Sequence, residues 1–328
     1  MAFARPGEDH LVTGELVSPD GARYEVREGI PHLIDQSREA ATPEETREQE
    51  YYEATAASYD AVLDWVFESF GEDEVEVREA LIDLLELEPM AAVLEIGAGT
   101  CRDTVVIADR LDPDGRLFVQ DLSPSMLSIG RDRMQTAGKL DHLSARTEFF
   151  VGHASHLPFP DDLFDAAFHF GGLNVFSDPP KALVEMARVV RRGGKVVVGD
   201  EGLAPWLRDT EYGRILMNST KLYRHEPPLA EIPSCARDTR VQWIIGSAYF
   251  VIDMRVGDGP PAVDLDLPIL GARGGSHRTR YFGALEGVTP EAKRLAEISA
   301  SASGLTMHEW LDRVVRAAAE SGPPDSAP

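Results

Sequence analysis

The sequence predicts an α/β fold with a doubly wound parallel sheet, on three observations. Between residues 74 and 200, short strand-like runs alternate with segments of helical spacing. The strand-like runs are apolar and short, as expected of strands covered by helices on both faces. Helix-length connections between parallel strands are right-handed crossovers, which wind the chain onto both sides of the sheet.

The elements follow in order. Residues 1–40 are expected to form a small β-rich unit, because turn signals at Pro19-Asp20-Gly21 and Gly29-Ile30-Pro31 bracket the alternating segment Arg23–Arg27. The stretch from Ser37 to Glu50 is polar, and Thr42-Pro43-Glu44-Glu45 is a helix start with a Thr cap, Pro first and acids in the first turn. That helix should reach about Phe67. Val75, Val77, Ala80, Leu81, Leu84 and Leu85 carry helical spacing ahead of a strand at Ala92–Ile96. A helix from about Arg102 to Arg110, a strand at 116–120 and a helix from Ser123 to Gly138, opened by a Ser-Pro cap, come next. Phe149-Phe150-Val151 ends a third strand and Phe164–Phe170 is a fourth. A helix from Lys181 to Arg191 should break at Gly193-Gly194 before a fifth strand, 195–199.

Beyond it, helix is expected around Leu203 to Tyr223. The apolar run Val241–Val256, with Gly246-Ser247 in its middle, reads as two antiparallel strands or one bent strand at the sheet edge. Gly271 to Thr279 is loop-like, Thr289-Pro290-Glu291-Ala292 starts a helix, and a second helix runs from Thr306 to Ala318. The tail SGPPDSAP is expected to be disordered. The resulting organisation is a ribbon-like unit at 1–40, the α/β domain at 41–260 and a loop with helical extension at 261–328.

Composition narrows the function. The 328 residues carry 32 basic and 56 acidic side chains, a net charge of -24. A field of that sign repels phosphate backbones and argues against a nucleic-acid partner. The basic group Arg188, Arg191, Arg192 and Lys195 reads as a solvated helix end. Two cysteines, Cys101 and Cys235, build neither a disulfide framework nor a cysteine zinc site, so no metal is expected. There is no signal-like N-terminus and no apolar run near 18 residues, so a cytoplasmic protein without a membrane span is expected.

In open α/β sheets ligands bind beyond the carboxyl ends of the strands, which directs attention to Glu95-Ile96-Gly97-Ala98-Gly99-Thr100. Gly97 and Gly99 let the backbone turn and approach a ligand. Glu95 supplies an acid at the strand end, suited to an ammonium-bearing ligand. Arg102 stands where a pyrophosphate loop has its third glycine, which disfavours NAD. Asp121 follows Gly99 by 22 residues, where an acid can accept from ribose hydroxyls.

Four segments in order, VLEIGAGT, QDLSPSML, LPFPDDLFDAAF and ALVEMARVVRRGGKVVV, resemble a class I S-adenosylmethionine-dependent methyltransferase over roughly residues 50–200. The similarity is greatest to the small-molecule enzymes of ubiquinone and menaquinone biosynthesis. The resemblance implies a Rossmann-like methyltransferase sheet with S-adenosyl-L-methionine as cofactor. It implies that Glu95, Gly97, Ala98 and Gly99 hold the methionine end, Asp121 takes the ribose hydroxyls, and Leu122 and Met126 line the adenine. Ala154 would lie at the adenine edge, Phe170 and Gly171 below the sulfonium, and Tyr59 would close over the cofactor. The family usually has an acid after the glycine at 152; here it is His153, which can still accept through one ring nitrogen.

Methyl transfer needs chiefly in-line positioning, with a general base only where the acceptor loses a proton. His169, Asp200, Glu201 and His225 are the candidate bases, and Asn174 could orient an acceptor. Trp206, Tyr212, Met217, Tyr223, Trp243, Tyr249 and Phe250 would suit a hydrophobic or aromatic small molecule. Arg273, Ser276, His277, Arg278 and Arg280 could grip an anion. An RNA methyltransferase and a non-catalytic cofactor-binding subunit are the alternatives. GELVSPDGARYEVREGIPHLID resembles the later half of a zinc-ribbon-like domain that activates tRNA and protein methyltransferases or is fused to others, without its cysteines. TPEAKRLAEISASASGLTMHEWLDRVVRAAA resembles the helices of a ribbon-helix-helix module. Its strand would be Arg278–Leu285; with this charge a homodimer is a more fitting use than DNA binding, and a helical hairpin packed on its own domain is the alternative.

Overall fold

The computed structural model describes residues 12–19, 21–34, 43–140, 147–270, 274–282 and 288–321. Thr42, Arg273, the expected strand beyond Phe282 and the tail from residue 322 lie outside them. The chain divides into two compact units, 1–261 and 262–328.

The first unit is built on a seven-stranded sheet. Its strands are β4 (Ala92–Ile96), β5 (Arg116–Asp121), β6 (Thr147–Val151), β7 (Phe164–Phe170), β8 (Val190–Glu201), β9 (Ala236–Ile244) and β10 (Tyr249–Val256). They lie in the order β6-β5-β4-β7-β8-β10-β9. The pairs from β6 through β8 are parallel, and β10 runs antiparallel to both β8 and β9. The strand order reverses at β4, the first strand of the sheet in sequence, which places the loop after Ile96 at the switch point.

Successive residues of each strand face opposite ways, so apolar runs feed two cores. Val93, Leu117, Val119, Val197 and Val251 pack on one face with Leu81 and Ile107, from the helices α2 (Glu74–Asp83) and α3 (Arg102–Asp109). Leu94, Phe118, Val196, Val198 and Ile252 pack on the other with Leu183 and Met186 of a helix at Pro179–Val189. The long α1 (Pro43–Phe70) packs against α4 (Pro124–Thr136), whose Ser123 cap accepts from the Met126 amide at 3.2 Å. The Pro179–Val189 helix, α5, is capped by Asp178.

Three expectations need correction. Strand β8 begins at Val190, five residues early. Gly194 is pressed so close to the Asp165 carbonyl that a Cβ would lie 2.4 Å from it, so the glycine pair serves an irregular strand start rather than a break. The segment Leu203–Tyr223 is not one helix. Short 3₁₀ turns at Pro205–Leu207 and Leu222–Arg224 flank α6 (Glu211–Ser219), because Thr210 caps a fresh start and the Leu203 amide bonds back to the Tyr223 carbonyl at 3.0 Å. Of the two readings of Val241–Val256, the antiparallel pair is found, turning through Ile245, Gly246 and Ser247, all at positive φ.

Strands β1 (Gly14–Val17), β2 (Arg23–Arg27) and β3 (Ile30–Pro31) form an antiparallel meander. It joins the edge of the main sheet: the Leu33 amide donates to the Val151 carbonyl at 2.7 Å, and Ile30 and Leu33 are buried in the two cores.

The second unit holds α7 (His277–Phe282), α8 (Pro290–Ala302) and α9 (Met307–Glu320). Residues His277–Phe282 are helical where a strand was expected; the Arg280 amide bonds the Ser276 carbonyl at 3.0 Å and its guanidinium reaches the Gly274 carbonyl at 2.9 Å. Thr289 caps α8, and a capping box of Thr306 and Glu309 opens α9.

Candidate cofactor and acceptor site

Beyond β4 the chain turns through Gly97 (φ 64°) and Gly99 (φ 53°) before α3. Positive φ costs an L-residue about 1–2 kcal/mol, so glycine suits both. The loop is fixed from the end of β5. The Gly99 amide donates to Asp121 Oδ2 at 2.8 Å and the Ser123 amide to Oδ1 at 2.8 Å. The Gly97 amide donates to Gln120 Oε1 at 3.1 Å, while Gln120 Nε2 donates to the Gly152 carbonyl. Gln120, within β5, thus ties together the loops after β4 and β6.

These loops enclose a cavity of about 800 Å³, part of it open to solvent. Gly97, Gly99 and Asp121 line it with polar groups, and Leu122, Met126, Ala154 and Phe176 with apolar ones. The Asp121 carboxylate accepts the amides of Gly99 and Ser123, with Leu122 as a third donor, and a carboxylate has about four acceptor positions, so capacity for a hydroxyl remains. A glycine backbone cradle, a carboxylate bonded to it and apolar lining suited to a purine fit S-adenosylmethionine.

A second cavity, of about 1360 Å³ with its open part, lies against the first. The two share Tyr59, Gly97, Gly99, Gly171, Gly172 and Val175 as wall. Its other lining includes Val62, Leu63, Phe67, Phe170 and Tyr249, with the polar groups Asn174, Asp200 and Glu201.

Among the expected cofactor residues, Tyr59, Gly97, Gly99, Asp121, Leu122, Met126, His153, Ala154 and Gly171 line the first cavity. Ala98 and Phe170 line the second only, so Phe170 faces the neighbouring space rather than the first cavity. Glu95 lines neither. Its carboxyl is buried under α3 beside Thr104 and Asp103, and burial pushes its pKa well above the ordinary range. The strand's alternation turns Glu95 towards α3, and its side chain reaches neither cavity.

The candidate bases separate. His169 is fully buried on the wall of the first cavity, with Nδ1 2.7 Å from the Ile96 carbonyl; burial lowers its pKa to about 4. Asp200 and Glu201 end β8 at the second cavity. The Asp200 carboxyl accepts from the Asn174 amide at 2.5 Å and the Glu201 amide at 2.7 Å. Burial, then the adjoining Glu201 carboxyl, push Asp200 well above the usual carboxylate range. His225 lines neither cavity. Of the seven aromatic and apolar candidates, Tyr249 alone lines the second cavity; Tyr223 and Phe250 are buried, and Trp206 is exposed and packs edge-on against Trp243.

Sequence reasoning missed the groups that hold Tyr59. Its neighbour Asp60 accepts from Thr100 Oγ1 at 2.6 Å and Arg102 Nε at 3.1 Å, and pairs with Arg133. Arg102 also pairs with Glu74 at 2.6 Å. The residue in the third-glycine position is therefore an anchor for α1. Glu53, which accepts from Ser123 Oγ at 2.6 Å, fastens the same helix to α4. No local motif marks these pairs, which span tens of residues.

Fold and site together define a class I S-adenosylmethionine-dependent methyltransferase domain. Residues 41–202 match the ubiE/COQ5 methyltransferase family. A ubiquinone/menaquinone biosynthesis C-methyltransferase UbiE from Hahella chejuensis is 33% identical over 157 residues, 48% of this chain and 60% of its own. The UbiE of Bordetella avium is 29% identical over 59% of this chain and 80% of its own, and that of Ralstonia pickettii 38% identical over 34% and 44%. This chain thus spans less than two thirds of the length of the Hahella and Ralstonia relatives. A solved S-adenosylmethionine-dependent methyltransferase from Aquifex aeolicus is 17% identical over 55% of this chain and 89% of its own, with a TM-score of 0.40.

Proposed function

We propose that this protein transfers a methyl group from S-adenosylmethionine to a small hydrophobic or aromatic molecule. The observation that carries the proposal is the shared wall of the two cavities: apart from Tyr59 and Val175 it is made of the glycines Gly97, Gly99, Gly171 and Gly172, which bring a bound donor close to whatever occupies the second space. The donor, when bound, supplies an activated methyl on a sulfonium. Asp121, Gly97 and Gly99 hold it, Tyr59 covers it, and Phe67, Phe170 and Tyr249 with Val62 and Leu63 exclude water around the acceptor. Glu201, beside the buried Asp200, is the base for an acceptor that loses a proton. His169 is badly placed for that task, being on the donor side and weakly basic.

The names of the UbiE relatives support an aromatic ring as acceptor. Pairing of the basic cluster supports a small molecule over RNA: Arg188 meets Glu185 and Asp161, Arg191 meets Asp165, Arg192 meets Asp258, and Lys195 meets Asp253. Among the described residues no helix is long and apolar enough to cross a membrane. Calorimetric titration with S-adenosylhomocysteine tests the donor site, and methyl-labelled donor offered to hydroxylated aromatics, quinols and tRNA tests the acceptor. No S-adenosylhomocysteine binding at millimolar concentration would end the proposal; label in tRNA alone would replace its acceptor.

A further inference from the structure

The charges around the second cavity do not balance. Its lining holds two cations, Arg78 and Arg102. Both are matched within the protein. Arg78 pairs with Glu74 at 2.7 Å and Asp103 at 2.6 Å, and Arg102 with Glu74 at 2.6 Å, Asp64 at 2.7 Å and Asp60 at 3.1 Å. Asp200 and Glu201, on the same lining, have no such match: among the described residues no lysine, arginine or histidine pairs with either. Asp200 is fully buried, and its carboxyl is taken up by the amides of Asn174 and Glu201. Glu201 is only half-buried and accepts from the Tyr249 hydroxyl at 3.4 Å, a long bond that leaves its carboxylate acceptor capacity for a ligand. The Tyr249 ring lies beside that of Phe170, with centroids 5.9 Å apart, and Tyr59 and Phe67 bring two more rings to the cavity. An anionic acceptor would meet acids there and no spare cation. A carboxylate among aromatic rings instead suits a cation, through charge-assisted hydrogen bonds and the negative faces of the rings.

We propose that the methyl acceptor is an amine on an apolar or aromatic body, bound in its ammonium form with its N–H groups on Glu201. This rests on the reading of the second cavity as the acceptor space and names the class of molecule that fills it. Transfer begins when the ammonium gives one proton to the Glu201 carboxylate. The freed nitrogen lone pair attacks the methyl carbon; the N–C bond forms as the S–C bond breaks, and the pair of that bond stays on the sulfur of S-adenosylhomocysteine. The product is the methylated ammonium, and the proton on Glu201 passes to solvent.

The test uses the full chain, with 2-phenylethylamine and tryptamine as probes and 2-phenylethanol and tryptophol as their neutral matches. Calorimetry in the presence of S-adenosylhomocysteine should show each amine binding roughly 10- to 100-fold more tightly than its alcohol, and label from methyl-labelled donor should appear on nitrogen. Glu201→Gln should keep its S-adenosylhomocysteine affinity, which shows that it folds, and lose the preference for the amine. No amine binding at millimolar concentration, equal affinity for amine and alcohol, or a preference kept in Glu201→Gln overturns the assignment. Label in a quinol or a hydroxylated aromatic but in neither amine overturns it as well, and leaves the proposed methyl transfer standing. Failure of S-adenosylhomocysteine itself to bind removes the donor site and this assignment with it.

Discussion

The Gly99 amide and the Asp121 carboxylate meet at 2.8 Å although 22 residues separate them. Burial raises the Asp121 pKa, and the amides of Ser123, Gly99 and Leu122 oppose that shift by favouring the anion. The carboxylate both shapes the glycine loop and faces the cavity. Asp121→Ala should weaken S-adenosylhomocysteine by about tenfold or more, since it removes ligand contacts and leaves the amides of Gly99, Ser123 and Leu122 short of a partner. Asp121→Asn, which keeps one carbonyl oxygen, should fall between. Wild-type affinity in Asp121→Ala, measured by calorimetry, would disprove the ribose role.

The two loop glycines should respond differently to alanine. At Gly99 a Cβ meets only Tyr59, at 3.8 Å, so Gly99→Ala carries chiefly the positive-φ cost of about 1–2 kcal/mol. At Gly97 a Cβ would also stand 3.0 Å from His169 Nδ1, tight against a ring held by its bond to Ile96. Gly97→Ala should therefore lower the unfolding midpoint in urea more than Gly99→Ala. An equal loss would mean that the His169 ring yields freely.

Glu201→Gln should lower the turnover of a proton-losing acceptor by about 10²–10⁴-fold while leaving S-adenosylhomocysteine affinity unchanged. A base works deprotonated, so the wild-type rate should rise with pH through the titration of the Asp200–Glu201 pair. Burial, then the adjoining Glu201 carboxyl, push Asp200 well above the ordinary carboxylate range, so the limb belongs to the pair rather than to either carboxyl alone. The limb should be absent in Glu201→Gln. An unchanged rate profile would assign catalysis to positioning alone.

The sheet was legible because buried parallel strands are written as short apolar runs: Ala92–Ile96 and Phe164–Phe170 have the observed ends. The loop was legible because glycines and a distant acid answer a local need. What the local pattern could not show is where a side chain goes once both faces of a strand are covered. Glu95 and Phe170 sit on site strands, yet point away from the donor cavity. The Gly193-Gly194 pair looked like a stop, but Gly194 accommodates the Asp165 carbonyl, a contact made across the sheet. Likewise Asp60 with Arg133 and Arg102 with Glu74 are pairings of elements far apart in sequence, invisible to any window.

Lys195 and Asp253 form an ion pair between β8 and β10, with both side chains 5% exposed or less. Truncating one partner strands a buried charge, at a cost of about 3–5 kcal/mol. Lys195→Met should show that loss in urea unfolding, and Lys195→Met with Asp253→Leu should recover most of it. A double variant as unstable as the single would show that packing rather than charge is at stake.

His169 gives the fold a weak side in acid. Its Nδ1 contacts the Ile96 carbonyl, and burial lowers its pKa to about 4, against about 6.5 for an unfolded histidine. Between those values the unfolded chain binds the extra proton, so stability is complete above about pH 6.5 and falls as pH drops towards 4. The slope from this one group is about 1.4 kcal/mol per pH unit within the window. His169→Asn places an amide N–H near the Nδ1 position, keeping a donor for the Ile96 carbonyl, but cannot take up a proton. The difference in unfolding free energy between wild type and variant should therefore shift by that slope from pH 6.5 to pH 4 and stay level above it. A difference that is flat across the whole range would show that His169 is already charged, or solvated, in the native protein.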